Sequence, residues 1–224
     1  MQTREKRPLL KEKQWEIYIP KEAEIVEKKS RFIASFATVH SEEEALEFVQ
    51  QKKKEHYSAR HNCFAYIVGS RDEVKRFSDD GEPSQTAGRP MMDVLEGAHL
   101  HNVVVVVTRY FGGVLLGTGG LVRAYQGAVS AGVEASTLIE KTSGTQLSIT
   151  TDYNGYGKIE YLLRERSIMI LDTQYDADVT ICCVVDDADT NIVEEITNLT
   201  AGNAVCKWGD WISYGVVDGK VIYL

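Results

Sequence analysis

Five consecutive valines, Val103 to Val107, constrain this chain more than any other segment. β-Branched residues crowd a helix at χ1 but fit a pleated surface. A strand with no polar residue on either face has to be covered on both. The run therefore predicts a central strand lying between two layers of other structure. After it comes RYFGGVLLGTGG, Arg109 to Gly120, in which five glycines punctuate aromatic and aliphatic residues. A helix is expected from about Leu121 to Val133, with Tyr125, Ala128, Val129 and Gly132 forming a face small enough to pack closely.

The length of 224 residues suits two domains better than one. Residues 1–14 are charged and aperiodic and are expected to be a mobile extension. Glu24 to Val39 reads as two β segments broken at Lys28, Lys29 and Ser30, with Ile25, Phe32, Ile33, Phe36 and Val39 as core candidates. Ser41 and Glu44 have the spacing of a capping box, so a helix is expected to run to about Glu55, its Lys52 to Lys54 end solvated. Strands are expected at Cys63 to Val68 and Val74 to Phe77, then a loop over 78–90 with Pro90 in the first turn of a short helix through Leu95. The patternless Ser136 to Thr145 marks the boundary, giving domains 15–140 and 141–224. Beyond it, strand (146–151), helix (154–166), strand (168–174), strand (179–185), helix (187–200) and strand (204–212) spell the β-α-β-β-α-β order of a ferredoxin-like unit. An Asp218-Gly219 turn is expected to add a hairpin. The fold class is α+β.

Composition excludes several classes. With 43% hydrophobic and 26% charged residues, wholesale disorder is not expected. No apolar run approaches the roughly 20 residues of a membrane span. The charged first twenty residues do not resemble a secretion signal, so a cytoplasmic location is expected. Residues 141–224 hold 6 Lys and Arg against 13 Asp and Glu, or minus 7 of the net minus 8. Any RNA contact is therefore expected in the first domain. Cys63, Cys182, Cys183 and Cys206 lack C-x-x-C spacing and read as reduced core thiols.

Two loops concentrate chemistry. Ser78 to Pro83 places the carboxylates of Asp79, Asp80 and Glu82 within four residues, enough for a divalent cation or a general base. Arg109 to Arg123 sets Gly112, Gly113, Gly117, Gly119 and Gly120 between two guanidiniums. If Thr118 caps the helix, the amides of Gly119, Gly120 and Leu121 are unpaired at its positive end and form an anion site. That site is expected to comprise Arg109, Tyr110, Gly112, Gly113, Gly117, Thr118, Gly119, Gly120 and Arg123. Arg60, His61, Asp79, Asp80, Glu82, Thr86 and Gly88 belong to the adjoining loops. The plainer alternative is that the glycines make tight turns and the carboxylates form a solvated acidic loop. Two nucleotide motifs fail: Thr118 stands where a P-loop needs Lys, and Val122 where a dinucleotide fingerprint needs its third Gly. His99 and His101 lack a legible third ligand, so neither metal nor cofactor is expected. Arg60-His61 precedes a strand and is expected at the surface.

The stretches ARHNCFAY (Ala59 to Tyr66), SDDGEPSQTAGRP (Ser78 to Pro90) and NVVVVVTRYFGGVLLGTGGLVRAY (Asn102 to Tyr125) resemble the IMPACT family, including its bacterial YigZ-type members. The resemblance extends over roughly residues 20 to 212. It implies an N-terminal α/β sandwich like the second domain of a small-subunit ribosomal protein. It also implies a C-terminal ferredoxin-like domain similar to domain V of elongation factor G. Eukaryotic relatives regulate translation under amino-acid starvation through an added RWD domain; only about twenty residues precede the first strand here, so no RWD-mediated partner is expected. Gln85 departs from the pattern, standing where the family commonly has Gly before Thr86-Ala-Gly88. The leading expectation is a non-catalytic translation-associated regulator whose partner is RNA, the ribosome or a translation factor, with no membrane partner. The rival is an enzyme on a phosphorylated or nucleotide-like substrate, with a metal or base at Asp79, Asp80 or Glu82.

Overall fold

The valine run lies in β6 (Val103–Tyr110), the middle strand of a five-stranded antiparallel sheet. Its neighbours, in order across the sheet, are β2 (Ala23–Glu27) and β3 (Ser30–Thr38) on one side, β4 (His61–Val68) and β5 (Val74–Ser78) on the other. The computed structural model describes residues 14–69, 72–186, 189, 191–217 and 220–224. Strand periodicity divides the valines between two cores. Val103, Val105 and Val107 face a cluster that includes Met91 and Leu95 of α2 (Gly88–Gly97) and Tyr125, Ala128 and Val129 of α3 (Thr118–Ala135). Val104 and Val106 face Ala45 and Val49 of α1 (Glu42–Glu55). All five are fully buried, which is the double covering the sequence predicts.

Local signals explain the element ends. Ser41 caps α1 by accepting from the Glu44 amide at 3.1 Å. Glu44 reaches back to the amide of His40, one residue before the cap position. The break between β2 and β3 falls at Lys28 and Lys29, both at positive φ. The close-packing face of α3 is real: a Cβ on Gly132 would lie 2.2 Å from the Phe36 ring. Sequence reading missed β1 (Gln14–Ile19), whose Trp15 amide bonds the His99 carbonyl and whose Ile17 is buried in the first core. Gln14, read as the last residue of a mobile extension, opens that strand; residues 1–13 lie outside the described part.

The first compact unit ends at Glu140 and the second begins at Lys141. The segment Ser136 to Thr145 is not a patternless connector, because β7 (Thr137–Thr151) runs through it. Its Ser, Thr and Gly residues pair through their backbones, and Gly144 is there for close approach: a Cβ would stand 2.6 Å from the Val185 carbonyl oxygen. After β7 come α4 (Tyr153–Glu165), β8 (Met169–Tyr175), β9 (Val179–Val185), α5 (Ile192–Leu199), β10 (Val205–Val217) and β11 (Lys220–Tyr223). The antiparallel strand order β11-β10-β7-β9-β8 contains the ferredoxin-like arrangement. Leu147, Ile149, Ile159, Leu163, Ile181, Cys183 and Ile196 form its core. Asp152 caps α4 through the Gly155 amide at 2.7 Å. The helix expected from residue 187 begins at Ile192, and residues 187, 188 and 190 lie outside the described part. So does the Asp218-Gly219 turn, although Val217 pairs with Lys220 as its hairpin requires.

Candidate anion-binding site

The acidic loop is wired inward rather than solvated. Asp79 accepts three backbone amides: Ala87 and Gly88 at Oδ1 (2.9 and 2.8 Å) and Gln85 at Oδ2 (2.8 Å). Since Ala87 at the N-cap of α2 has no capping side chain, Asp79 supplies the cap from eight residues upstream. Asp80 takes Lys53 Nζ at 2.6 Å and the Asn62 amide at 2.7 Å. Lys53 is thereby removed from the solvated helix end expected for it. His61 Nδ1 donates to the Asp80 carbonyl at 2.9 Å, so His61 is built into the loop, while Arg60 is exposed as expected. Thr86 is buried with its hydroxyl donating to the Pro83 carbonyl. Gly88 sits where a Cβ would come within 2.8 Å of the Ser78 backbone.

Glu82 goes deepest. Its Oε1 accepts from Arg109 Nη1 at 2.6 Å and from the Tyr125 hydroxyl at 2.9 Å, and all three residues are buried. The Arg109 guanidinium also lies over the rings of Phe32 and Phe111, 5.4 and 5.6 Å from their centroids. Arg109, expected to hold an anion, therefore spends its charge on Glu82. Cys63 Sγ is 3.0 Å from the Asp79 carbonyl oxygen and 3.3 Å from the Tyr125 hydroxyl. Burial pushes the Cys63 thiol well up, and the Tyr125 phenol likewise, with the neighbouring acids adding to both. Neither offers a nucleophile or base near neutral pH. The three loop carboxylates serve separate partners, and among the described residues they do not form a group of ligands close enough to share an ion.

The glycine loop is different in kind. Phe111, Val114 and Leu115 are exposed, Leu115 at 82%. Gly112 allows the loop to lie on the β2–β3 turn, since a Cβ would overlap the Lys29 carbonyl carbon at 2.0 Å, and its amide donates to Ser30 Oγ at 3.1 Å. That approach sets the exposed Lys28 and Lys29 beside the loop, a pairing between segments some eighty residues apart that no local pattern reveals. Gly117, not Thr118, is the N-cap of α3, with φ +74. Leu121 is not free, because its amide bonds the Gly117 carbonyl at 2.9 Å. The amides of Thr118, Gly119 and Gly120 precede the first intrahelical bond. Arg123 is exposed, enters no ion pair among the described residues, and folds back over the helix start, its Nη1 3.6 Å from where a Cβ of Gly119 would stand. Tyr110 turns elsewhere, its hydroxyl 3.0 Å from His56 Nδ1, and Gly113 sits at the exposed tip with φ +85.

Fold and wiring together define a two-unit α+β protein whose first unit presents a glycine loop and a helix start to solvent. The Impact N-terminal domain matches residues 28–133, and a domain of unknown function (DUF1949) matches residues 149–203. The chain is 43% identical over 190 residues to the IMPACT family member YvyE of Bacillus subtilis, covering 84% of this chain and 88% of that one. It is 42% identical over 152 residues to the IMPACT family member YigZ of Escherichia coli, covering 67% and 74%. A crystal structure described as that of a hypothetical protein is similar at 34% identity and TM-score 0.57, over 88% of this chain and 97% of the other. The chain belongs to the IMPACT family, as a two-domain member of the YigZ type. Among the described residues no helix is long and apolar enough to cross a membrane.

Proposed function

We propose that this protein is a non-catalytic, translation-associated regulator that acts in the cytoplasm and holds an RNA backbone at the start of α3. The reading rests above all on Arg123, an exposed guanidinium that enters no ion pair among the described residues and lies close to Gly119 at the helix start. Amides at a helix start carry partial positive charge and suit phosphate. Lys28 and Lys29 extend the positive rim, and Phe111 and Leu115 offer apolar surface against which bases can pack. Membership of the IMPACT family supports the biological setting, since the resemblance implies eukaryotic relatives that regulate translation. The enzyme reading is weakened because the carboxylates it needs are committed to amides, Lys53 and Arg109.

Co-sedimentation with ribosomal subunits, and binding of RNA over a range of salt concentrations, test the proposal. Arg123→Ala should weaken RNA binding without changing sequence preference and flatten the salt slope by about one unit. Binding that ignores Arg123 and salt would remove this site, and Mg2+-dependent turnover of a nucleotide would replace the regulator by an enzyme.

A further inference from the structure

At the far end of α1, away from its cap, stands a group of side chains that the anion site does not use. His56 closes the helix, its own amide bonding the Lys52 carbonyl. The ring is fixed by Tyr110, whose hydroxyl meets Nδ1 at 3.0 Å and whose ring packs edge-on at 6.0 Å. Nε2 is buried and takes no hydrogen bond among the described residues. Its carboxylate neighbour, Glu55 Oε1, is 3.8 Å away, too far to accept a proton from it. Glu22 approaches from the connection before β2, and one ligand atom each from Glu22, Glu55 and His56 lie within 4.8 Å of one another. Ser35 Oγ donates to Glu22 Oε2 at 2.7 Å and steadies that carboxylate.

With Nδ1–H donating to the Tyr110 oxygen, Nε2 presents a lone pair, and the two carboxylates are acceptors only. Three electron-pair donors then converge without a shared proton. Lys52 answers part of this charge, its Nζ 2.9 Å from Glu55 Oε2 and 3.7 Å from Glu22 Oε2. Lys52 Nζ makes its short contacts to the carboxylates, and the buried Nε2 remains unmatched among the described residues. We propose that Glu22, Glu55 and His56 form a binding site for a divalent transition-metal ion, Zn2+ foremost, and that a bound ion displaces Lys52. Zinc takes nitrogen and oxygen at about 2.0–2.2 Å, so its ligand atoms sit about 3.3–3.6 Å apart when tetrahedral. Reaching that from the present spacing needs only small rotations of two exposed glutamates. Imidazole with carboxylates suits Zn2+ or Co2+ better than Mg2+, which prefers an octahedral shell of oxygens. Tyr110 is the positioning residue, holding the ring plane through its hydroxyl contact and its edge-on packing.

The test titrates the full-length chain with Zn2+ by calorimetry and with Co2+ by visible absorption. One ion per chain is expected, with d–d bands, no thiolate charge-transfer band, and a displaced His56 ring resonance. Tyr110→Phe should lower affinity by about ten- to a hundredfold, and His56→Ala should abolish binding. Lys52→Met should tighten it, because a competitor is removed, which a merely structural role for the cluster does not predict. Glu22→Gln combined with Glu55→Gln repeats the test at exposed positions if His56→Ala fails to fold. Absence of binding, binding indifferent to these changes, a thiolate band, or weaker binding in Lys52→Met would each overturn the proposal.

Discussion

Glu82 and Arg109 cannot be removed singly without leaving a buried charge. Their side chains are only 3% and 8% exposed, and breaking such a pair by truncating one partner costs about 3–5 kcal/mol. Arg109→Ala should therefore lower the urea midpoint strongly, whereas the double change Glu82→Gln with Arg109→Met should recover a large part of the loss. A midpoint unchanged in Arg109→Ala would show that the charge is not internal. The sequence shows two charged residues 27 positions apart but not that they meet, because only the tertiary fold brings the 78–88 loop onto the end of β6. Gln85 is the opposite case, where a sequence departure has a local cause to find. It sits at φ +61, in the left-handed region where a side chain costs about 1–2 kcal/mol, so the glycine common in the family fits this position better. Gln85→Gly loses backbone entropy of about 0.5–1 kcal/mol in return. A net gain in stability of up to about 1 kcal/mol is expected, and denaturant midpoints would register it.

Elements were legible wherever a periodic signal coincided with a chemical end signal. The valine strand, the Ser41-capped helix and the β-α-β-β-α-β order follow from residues within a few positions of each other. Two elements escaped for different reasons: β1 follows directly on a charged, aperiodic stretch and is too short to stand out from it, whereas the first half of β7 is polar enough to resemble a connector. Ile17 and Ile139 are buried anchors in the two. Contacts between elements were equally hidden, and one of them titrates. The Tyr66 hydroxyl of β4 donates to Glu42 Oε1 in the first turn of α1 at 2.6 Å. Burial pushes this phenol up to about 12, and the Glu42 carboxylate adds to the shift. An unfolded tyrosine ionises near 10, so between about pH 10 and 12 the unfolded chain has lost a proton that the folded chain keeps. The stabilisation is complete below about pH 10 and is lost as pH rises through about 12. Tyr66→Phe should flatten the fall in stability between about pH 10 and 12. It should not abolish the fall, because Tyr125 and Tyr156 are shifted in the same direction. An identical slope in the variant would detach Tyr66 from the alkaline transition.

For the molecule as a whole, charge separates the two units more sharply than any connector does. The residues after 140 carry minus 7 of the net minus 8, whereas those up to 140 are nearly balanced, with 19 basic against 20 acidic side chains. Near-balance permits a local basic rim at Lys28, Lys29 and Arg123, while a uniform excess of carboxylate repels a polyanion over about one Debye length, roughly 8 Å at physiological salt. Each unit also closes its own hydrophobic core, the first around β6 and the second around Leu147 and Ile149. Residues 1–140 expressed alone should therefore melt cooperatively and keep the salt-dependent RNA binding of the full chain, and residues 141–224 should show none. The position of the cut matters, because Leu138 and Ile139 lie in β7 yet Leu138 packs on the first core and Ile139 is fully buried. A fragment ending at residue 136 gives up both and should melt lower than one ending at 140. If the two fragments melt alike, the joint lies earlier than Glu140. If the acidic fragment alone binds RNA with a steep salt slope, it has a basic face that its net charge conceals, and the α3 start loses its role.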